Sequence, residues 1–151
     1  MRPIKFKGKA TMTIEELDDM HFEHDNGWFV GNLVMFGDVP YIVGDFIEVD
    51  EEYTINEFWV KVHPESVSQY TGKISNTQEE IFEGDILNVI AENIEYKDDY
   101  LGVVKMIDGS WMVDKNGNSE KYEMDHLFDP TLEIHVEGTV YEDKRLLEVQ
   151  T

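Results

Sequence analysis

The chain reads as a mainly β protein with short helices, on three observations. Its apolar residues fall in short runs, the runs are bounded by Gly, Asn, Asp or Pro, and no long stretch keeps a 3.6-residue period. The expected architecture is an N-terminal part rich in β-hairpins, residues 1–75, followed by a small SH3-like barrel part, residues 76–151. With 151 residues, the chain is long enough to bury roughly 70% of the surface that its unfolded form exposes, so neither disulfides nor metals are needed to hold it.

At the N-terminus Ile4 and Phe6 alternate with Lys5, Lys7 and Lys9, so a strand here buries one face and sets a row of lysines on the other. Lysines on an exposed edge discourage pairing with other chains, and edge protection is the expected role of the row. Thr13-Ile14-Glu15-Glu16-Leu17 offers a short helix, with Thr13 as N-cap and Glu16 closing a capping box. Asn26-Gly27 makes a turn, Trp28 to Phe36 is a strand, Gly37-Asp38 turns again, and Tyr41 to Val43 returns as a hairpin. Phe46, Ile47 and Val49 continue an apolar pattern among Asp45, Glu48, Asp50, Glu51 and Glu52, a solvated loop or strand edge. Phe58 to Val62 is a further strand, ending before Pro64.

From Glu65 to Glu80 apolar density falls and Ser, Thr, Gln, Asn and Gly take over, which suits a connection, with the boundary near Ser75. Beyond it Ile86 to Ile90 and Gly102 to Ile107 are strands, and Asp108-Gly109 joins the second to Trp111–Val113 as a hairpin. Asn116-Gly117 turns once more. Ser119 then caps a short helix through Met124 and Leu127 that stops before Pro130, and Ile134 to Tyr141 is the last strand.

The chain carries 33 acids against 12 bases, a net charge of -21 at pH 7. Free nucleic acid is repelled by such a field, since phosphate binding draws on clustered Lys and Arg. With 41% hydrophobic and 12% aromatic residues the chain is nevertheless a folded one, because disordered acidic chains are poor in aromatics. The absence of Cys excludes thiolate chemistry and agrees with a reducing compartment. No apolar run is long enough to cross a bilayer and no apolar segment follows the basic start, so a cytoplasmic protein away from membranes is expected.

No catalytic motif is legible, and the expectation is that the chain is not an enzyme. Dinucleotide fingerprints, Walker sequences and Ser-nucleophile elbows are absent, and carboxylates are too abundant for any pair to stand out as acid and base. His21 and His24 lie three apart near Asp18, Asp19 and Asp25, the candidate ligands for a divalent ion. A true site needs more convergent ligands, and the favoured reading is of surface histidines with no metal and no cofactor. Asp114 to Asp125 imitates a calcium loop, but Ser119 stands where Gly is required and Asp125 where a bidentate Glu belongs, so a hairpin turn is favoured. Trp28, Phe29, Trp59, Tyr70, Trp111 and Tyr122 are expected to pack in cores, because without basic residues interleaved the electrostatic half of single-strand binding is missing.

Ser66-Val67-Ser68-Gln69-Tyr70-Thr71-Gly72, followed by Ile81-Phe82-Glu83-Gly84-Asp85-Ile86-Leu87, resembles the signature of YopX-like phage and prophage proteins. Arg2 to Lys7, Gly27 to Leu33, and Glu137 to Glu142 with Leu146-Leu147 agree in order. Gly8-Lys9-Ala10 and the stretch from Ile90 to Tyr100 depart from the pattern. The resemblance implies a phage or prophage product in a bacterial cytoplasm and carries over no catalytic residues, the family having no established activity. Gln69, Tyr70, Thr71, Gly72, Glu83, Gly84 and Asp85 are read as structural, with Gly72 and Gly84 at turns or close approaches. The expected function is a non-catalytic binding or assembly module that recognises a host or phage protein and forms a homo-oligomer. The alternative is an acidic nucleic-acid mimic that blocks a host nuclease or DNA-binding protein, with Asp45 to Glu57 as its natural seat.

Overall fold

The structure, a computed structural model, describes residues 3–48, 54–90, 99–115, 117 and 124–148. It is mainly β with short helices, and the chain forms two compact units, residues 1–69 and 70–151. The division falls between Gln69 and Tyr70, where the sequence reading places it near Ser75.

In the first unit β1 (Phe6–Lys9) leads to helix α1 (Ile14–Asp19), then to β2 (Trp28–Phe36), β3 (Val39–Val43), β4 (Phe46–Glu48), β5 (Thr54–Asn56) and β6 (Trp59–Lys61). The expected local signals operate here. The Thr13 hydroxyl accepts from the Glu16 N–H at 3.1 Å and the Glu16 carboxylate accepts from the Thr13 N–H at 3.3 Å, completing the capping box that starts α1. Asn26 and Gly27 both take positive φ, 51° and 85°, which is what a two-residue turn into β2 requires. β4 and β5 pair antiparallel, so part of the acidic stretch is a small ladder, and Val49 to Tyr53 lie outside the described residues.

The edge-protection role expected of the lysine row is overturned, because β1 is not an edge. It pairs with β2 on one side, Phe6 opposite Gly31 through Lys9 opposite Trp28. Residues 61–69 fill its other side. Phe6 and Lys7 pair with Gln69 and Ser68 at the start of β7 (Ser68–Ile74), and the Lys9 N–H donates to the Ser66 hydroxyl at 2.8 Å. The His63 N–H donates to the Lys9 carbonyl at 2.9 Å, and the Thr11 N–H to the Lys61 carbonyl at 3.0 Å. Ala10 bridges Val62. The ribbon β6-β3-β2-β1 therefore returns on itself, and closure satisfies backbone groups that an open edge would leave to solvent.

Inside this closed ribbon lie Ala10, Leu17, Phe29, Ile42, Val60 and Val62, with Phe6, Met12, Phe22, Leu33, Phe58 and Val67 packed around them. Strand alternation puts Phe6 and Gly8 on the inner side of β1 and Lys7 and Lys9 on the outer side. Gly8 is required where it stands, since a Cβ there would meet Val62 Cγ2 at 2.8 Å.

The second unit continues from β7 through β8 (Glu80–Phe82), β9 (Asp85–Ile90), β10 (Tyr100–Ile107), β11 (Ser110–Lys115), β12 (Met124–His126) and β13 (Glu133–Thr139), ending in helices α2 (Val140–Asp143) and α3 (Arg145–Glu148). Its main sheet has the order β12-β11-β10-β9-β13, antiparallel throughout. Asp108 and Gly109, at φ 50° and 82°, make the expected hairpin turn. One face of the sheet carries Leu87, Val89, Tyr100, Val104, Val113 and Ile134, which form a core with Ile81, Leu127 and Leu132.

Two local expectations are corrected. Met124 to His126 is a strand and not a helix, because it pairs along β11, Asp125 opposite Val113, and this ladder delivers Leu127 to the core fully buried. Ser119, its proposed cap, lies outside the described residues. β13 stops at Thr139 and does not reach Tyr141, since the Thr139 hydroxyl accepts from the Glu142 N–H at 3.1 Å and so opens α2. Among the described residues no helix is long and apolar enough to cross a membrane.

Two stability predictions follow from the two cores. Gly8→Val should cost about 1–3 kcal/mol, because overpacking at Val62 pushes β1 away from residues 61–63. Urea unfolding followed by the fluorescence of Trp28 and Trp59 reads this as an earlier midpoint. In the second unit the Tyr100 hydroxyl is pushed well above the ordinary tyrosine range, first by burial, then by donation to Asp125 and by the Asp125 and Asp129 charges. A raised phenol favours folding below the unfolded value of about 10 and weakens it above, by up to ~1.4 kcal/mol per pH unit. Urea midpoints should therefore fall above about pH 10 and fall less steeply in Tyr100→Phe; equal slopes in the two proteins would contradict this assignment.

Candidate functional site

The signature residues, distant by about ten positions in sequence, meet in the second unit. Tyr70 on β7 pairs with Phe82 on β8 and their rings lie 5.5 Å apart. The buried Thr71 hydroxyl donates to the Ile81 carbonyl at 2.8 Å and accepts from the Lys73 N–H at 3.2 Å. Gly72 has φ 91°, within the register irregularity between Tyr70 and Ile74. It lets the strand bend without a Cβ in the left-handed region.

The Glu83-Gly84-Asp85 segment is a tight turn held from three directions. The Asp85 carboxylate, buried, accepts from the Phe82 N–H at 2.8 Å, so the side chain closes the turn that its own residue ends. Gly84 has φ 83°, its N–H donates to the Val104 carbonyl at 2.9 Å, and its carbonyl accepts from the Val140 N–H at 2.8 Å. One glycine thus ties β10 and the start of α2 to the turn. Gln69 stands apart from this group, exposed and opposite Phe6 on β1. Each of the hydrogen bonds named here satisfies a backbone group.

His21 and His24 do not converge. His21 is exposed with φ 61°, whereas His24 has Nε2 2.8 Å from Asp18 Oδ1 and accepts from the Gly27 N–H at Nδ1, also 2.8 Å. Accepting at Nδ1 places the proton on Nε2, so the ring donates to Asp18 and clamps the Asn26-Gly27 turn to the end of α1. Among the described residues no three His, Asp or Glu side chains are grouped to hold a metal. Asp114, first position of the calcium-like loop, is buried and accepts from Lys105 Nζ at 2.6 Å, while that ammonium also donates to the Gly117 carbonyl at 2.8 Å. Asn116 and Asn118 to Glu123 lie outside the described residues.

The aromatic residues divide. Phe29 and Tyr70 are buried and Trp111 packs on the second core, as expected, and Tyr122 is outside the described residues. Trp59 is 48% exposed, and with Phe36, 58% exposed, and Tyr41 it forms a surface cluster on the first unit. The ring centroids lie 5.4 Å apart for Phe36–Tyr41, 6.1 Å for Phe36–Trp59 and 6.4 Å for Tyr41–Trp59. Register explains it: Val34 pairs Tyr41, Tyr41 pairs Lys61 and Val43 pairs Trp59, all on the side of the ribbon away from its core. The premise that basic residues are not interleaved with aromatics fails in space. Lys7 Nζ lies 5.2 Å and Lys9 Nζ 5.9 Å from the centre of the Trp28 ring, brought there by the β1–β2 pairing.

Asp85→Ala should lower stability by about 1–3 kcal/mol by leaving the buried Phe82 N–H without this acceptor, while Glu83→Ala stays within about 0.5 kcal/mol. Urea unfolding followed at Trp111 tests the pair.

The family model described as YopX protein matches residues 36–148, and no curated protein matches the chain. The match takes in both signature segments and the closing Glu137 to Leu147, while Arg2 to Lys7 and Gly27 to Leu33 lie before it. It covers more than half of the chain, and with the meeting of the two signature segments on β7, β8 and the Asp85 turn, the chain belongs to the YopX family.

Proposed function

We propose that this protein is a non-catalytic protein-binding or assembly module, of phage or prophage origin and acting in the bacterial cytoplasm, that docks a host or phage protein. The observation that carries this reading is the Phe36–Tyr41–Trp59 cluster, with Phe36 and Trp59 about half exposed on a strand face. Contiguous exposed apolar surface marks interaction sites, and Trp and Tyr dominate the residues that carry protein–protein affinity. The three rings are inclined to one another by 86°, 43° and 62°. Inclined rings leave clefts for an apolar side chain and offer no run of parallel faces for successive bases.

The net charge of -21 favours a second reading, in which surface carboxylates imitate nucleic-acid phosphates for a basic host protein. Salt separates the two, since exposed ion pairs are screened beyond about 8 Å at physiological ionic strength and apolar contacts are not. The test is affinity capture from prophage-bearing bacteria with the tagged wild-type chain and a Phe36→Ser/Trp59→Ser variant, at low and high salt. A protein retained by the wild type at both salts and reduced at least tenfold by the variant is the expected result. A basic protein released by salt and held equally by the variant would replace this reading with mimicry, and capture of nothing by either chain would remove both.

A further inference from the structure

We infer that the Phe36–Tyr41–Trp59 cluster is an anchor site for an arginine side chain of the partner protein, a step that rests on the docking role proposed above and names the chemistry docked. The three ring centroids, 5.4, 6.1 and 6.4 Å apart, form a nearly equilateral triangle. A cation seated about 3.5 Å above its centre is about 5 Å from every ring at once, inside the ~6 Å over which an aromatic face attracts a positive charge. Phe36 and Trp59 are 58% and 48% exposed, so the triangle is open to solvent. Tyr41, partly buried, completes it.

Carboxylates flank the rings on the same side of the ribbon. The ladder of β3 with β6 runs on into that of β4 with β5 without a change of register, Val43 opposite Trp59 and then Phe46 opposite Asn56. Between the two ladders the Gly44 N–H donates to the Phe58 carbonyl at 3.0 Å and the Glu57 N–H to the Asp45 carbonyl at 2.9 Å. Asp45 and Glu57 therefore stand opposite each other, one two-residue alternation beyond Val43 and Trp59, on the side that bears the rings. A shallow hollow of about 280 Å³ places them there independently, since they line it together with Val30 and Asn32, outer positions of β2. Both acids are exposed, and neither enters an ion pair among the described residues. Lys5 borders the hollow too, which leaves the two carboxylates in excess.

Arginine meets both halves of this arrangement. Its methylene stem packs in the cleft between inclined rings, its planar guanidinium lies against ring faces, and its N–H groups point on towards the carboxylates. A leucine would fill the cleft and leave the carboxylates unused. A lysine ammonium is more strongly hydrated and loses more on reaching the rings. The field of a chain with net charge -21 draws a cation in and repels an acidic side chain. Lys61, exposed and opposite Tyr41 on β6, works against the bound charge and is the natural position to alter.

Heteronuclear NMR of the full chain, read at the indole N–H signals of Trp59 and Trp111, tests the inference. The probes are N-acetyl-arginine methylamide, its uncharged isostere N-acetyl-citrulline methylamide, and N-acetyl-leucine methylamide. The arginine probe should shift Trp59 in a saturable way and leave Trp111 in place, with citrulline and leucine at least about threefold weaker. Phe36→Ser should abolish the shift at Trp59 while the dispersion of core amide signals stays unchanged. Lys61→Glu should tighten arginine about two- to fivefold and leave leucine as it was. Leucine bound as tightly as arginine overturns the inference and leaves docking by the cluster standing, with an apolar anchor. Equal shifts at Trp59 and Trp111, or an arginine shift that survives Phe36→Ser, would mean diffuse attraction to the net charge and overturn it as well. So does the absence of any saturable arginine shift, or an arginine affinity that Lys61→Glu fails to raise. Failure of the capture experiment is read on a partner protein and failure here on the rings, so the two are told apart.

Discussion

The first unit depends on β1 being hydrogen-bonded along both of its sides. With β2 on one side and residues 61–69 on the other, the strand has no open edge, and the chain from Lys61 to Gln69 is pinned to it by backbone and Ser66 contacts. Closure fixes which alternate residues look inward. Phe6 and Gly8 face the core because Val62 stands against Gly8 with no room for a Cβ. Lys7 and Lys9 then have only the outer side, and the pairing with β2 delivers them to Trp28. A one-residue slip of β1 would bury the lysines and expose Phe6, so register, core and charged face stand or fall together.

The second unit solves a different problem with backbone contacts. Its sheet is a simple antiparallel succession, and what anchors it is the Glu83-Gly84-Asp85 turn, where a buried carboxylate and a left-handed glycine connect β8, β10 and α2. Tyr70 to Gly72 and Phe82 to Asp85 supply the backbone and side-chain groups that complete this junction and the β7 irregularity beside it. Their hydrogen bonds tie β7, β8, β10 and the start of α2 together through backbone groups.

Local signals were legible wherever the chemistry is local. The Thr13–Glu16 capping box and the Asn26-Gly27 and Asp108-Gly109 turns need only neighbouring residues, and each forms as its sequence dictates. The mainly β character followed from run length for the same reason. What escaped was long-range. Alternating Lys and apolar residues look alike in an edge strand and in a strand with two neighbours, and nothing within Ile4 to Lys9 announces Ser66 or Val62. The Met124–Leu127 segment carried a plausible cap and was claimed by β11 instead. Trp59 and Phe36 occupy the same kind of alternating position as buried aromatics, and only the register of β2, β3 and β6 reveals that their face is the uncovered one. Lys7 and Lys9 reach Trp28 through the β1–β2 register, a pairing that the sequence around either partner does not announce.

The most direct test of this account is amide hydrogen exchange at the closure, read residue by residue at Lys9, Ala10, Thr11 and His63. Their N–H groups donate to Ser66, Gly27, Lys61 and Lys9 respectively, across both sides of β1. If the ribbon is closed, all four exchange slowly and with a common opening free energy, matching the core amides of β2 and β3. Rapid exchange at Lys9, Thr11 and His63 beside a protected Ala10 would mean that β1 is held by β2 alone, an open edge after all, and the account of the first unit would fail.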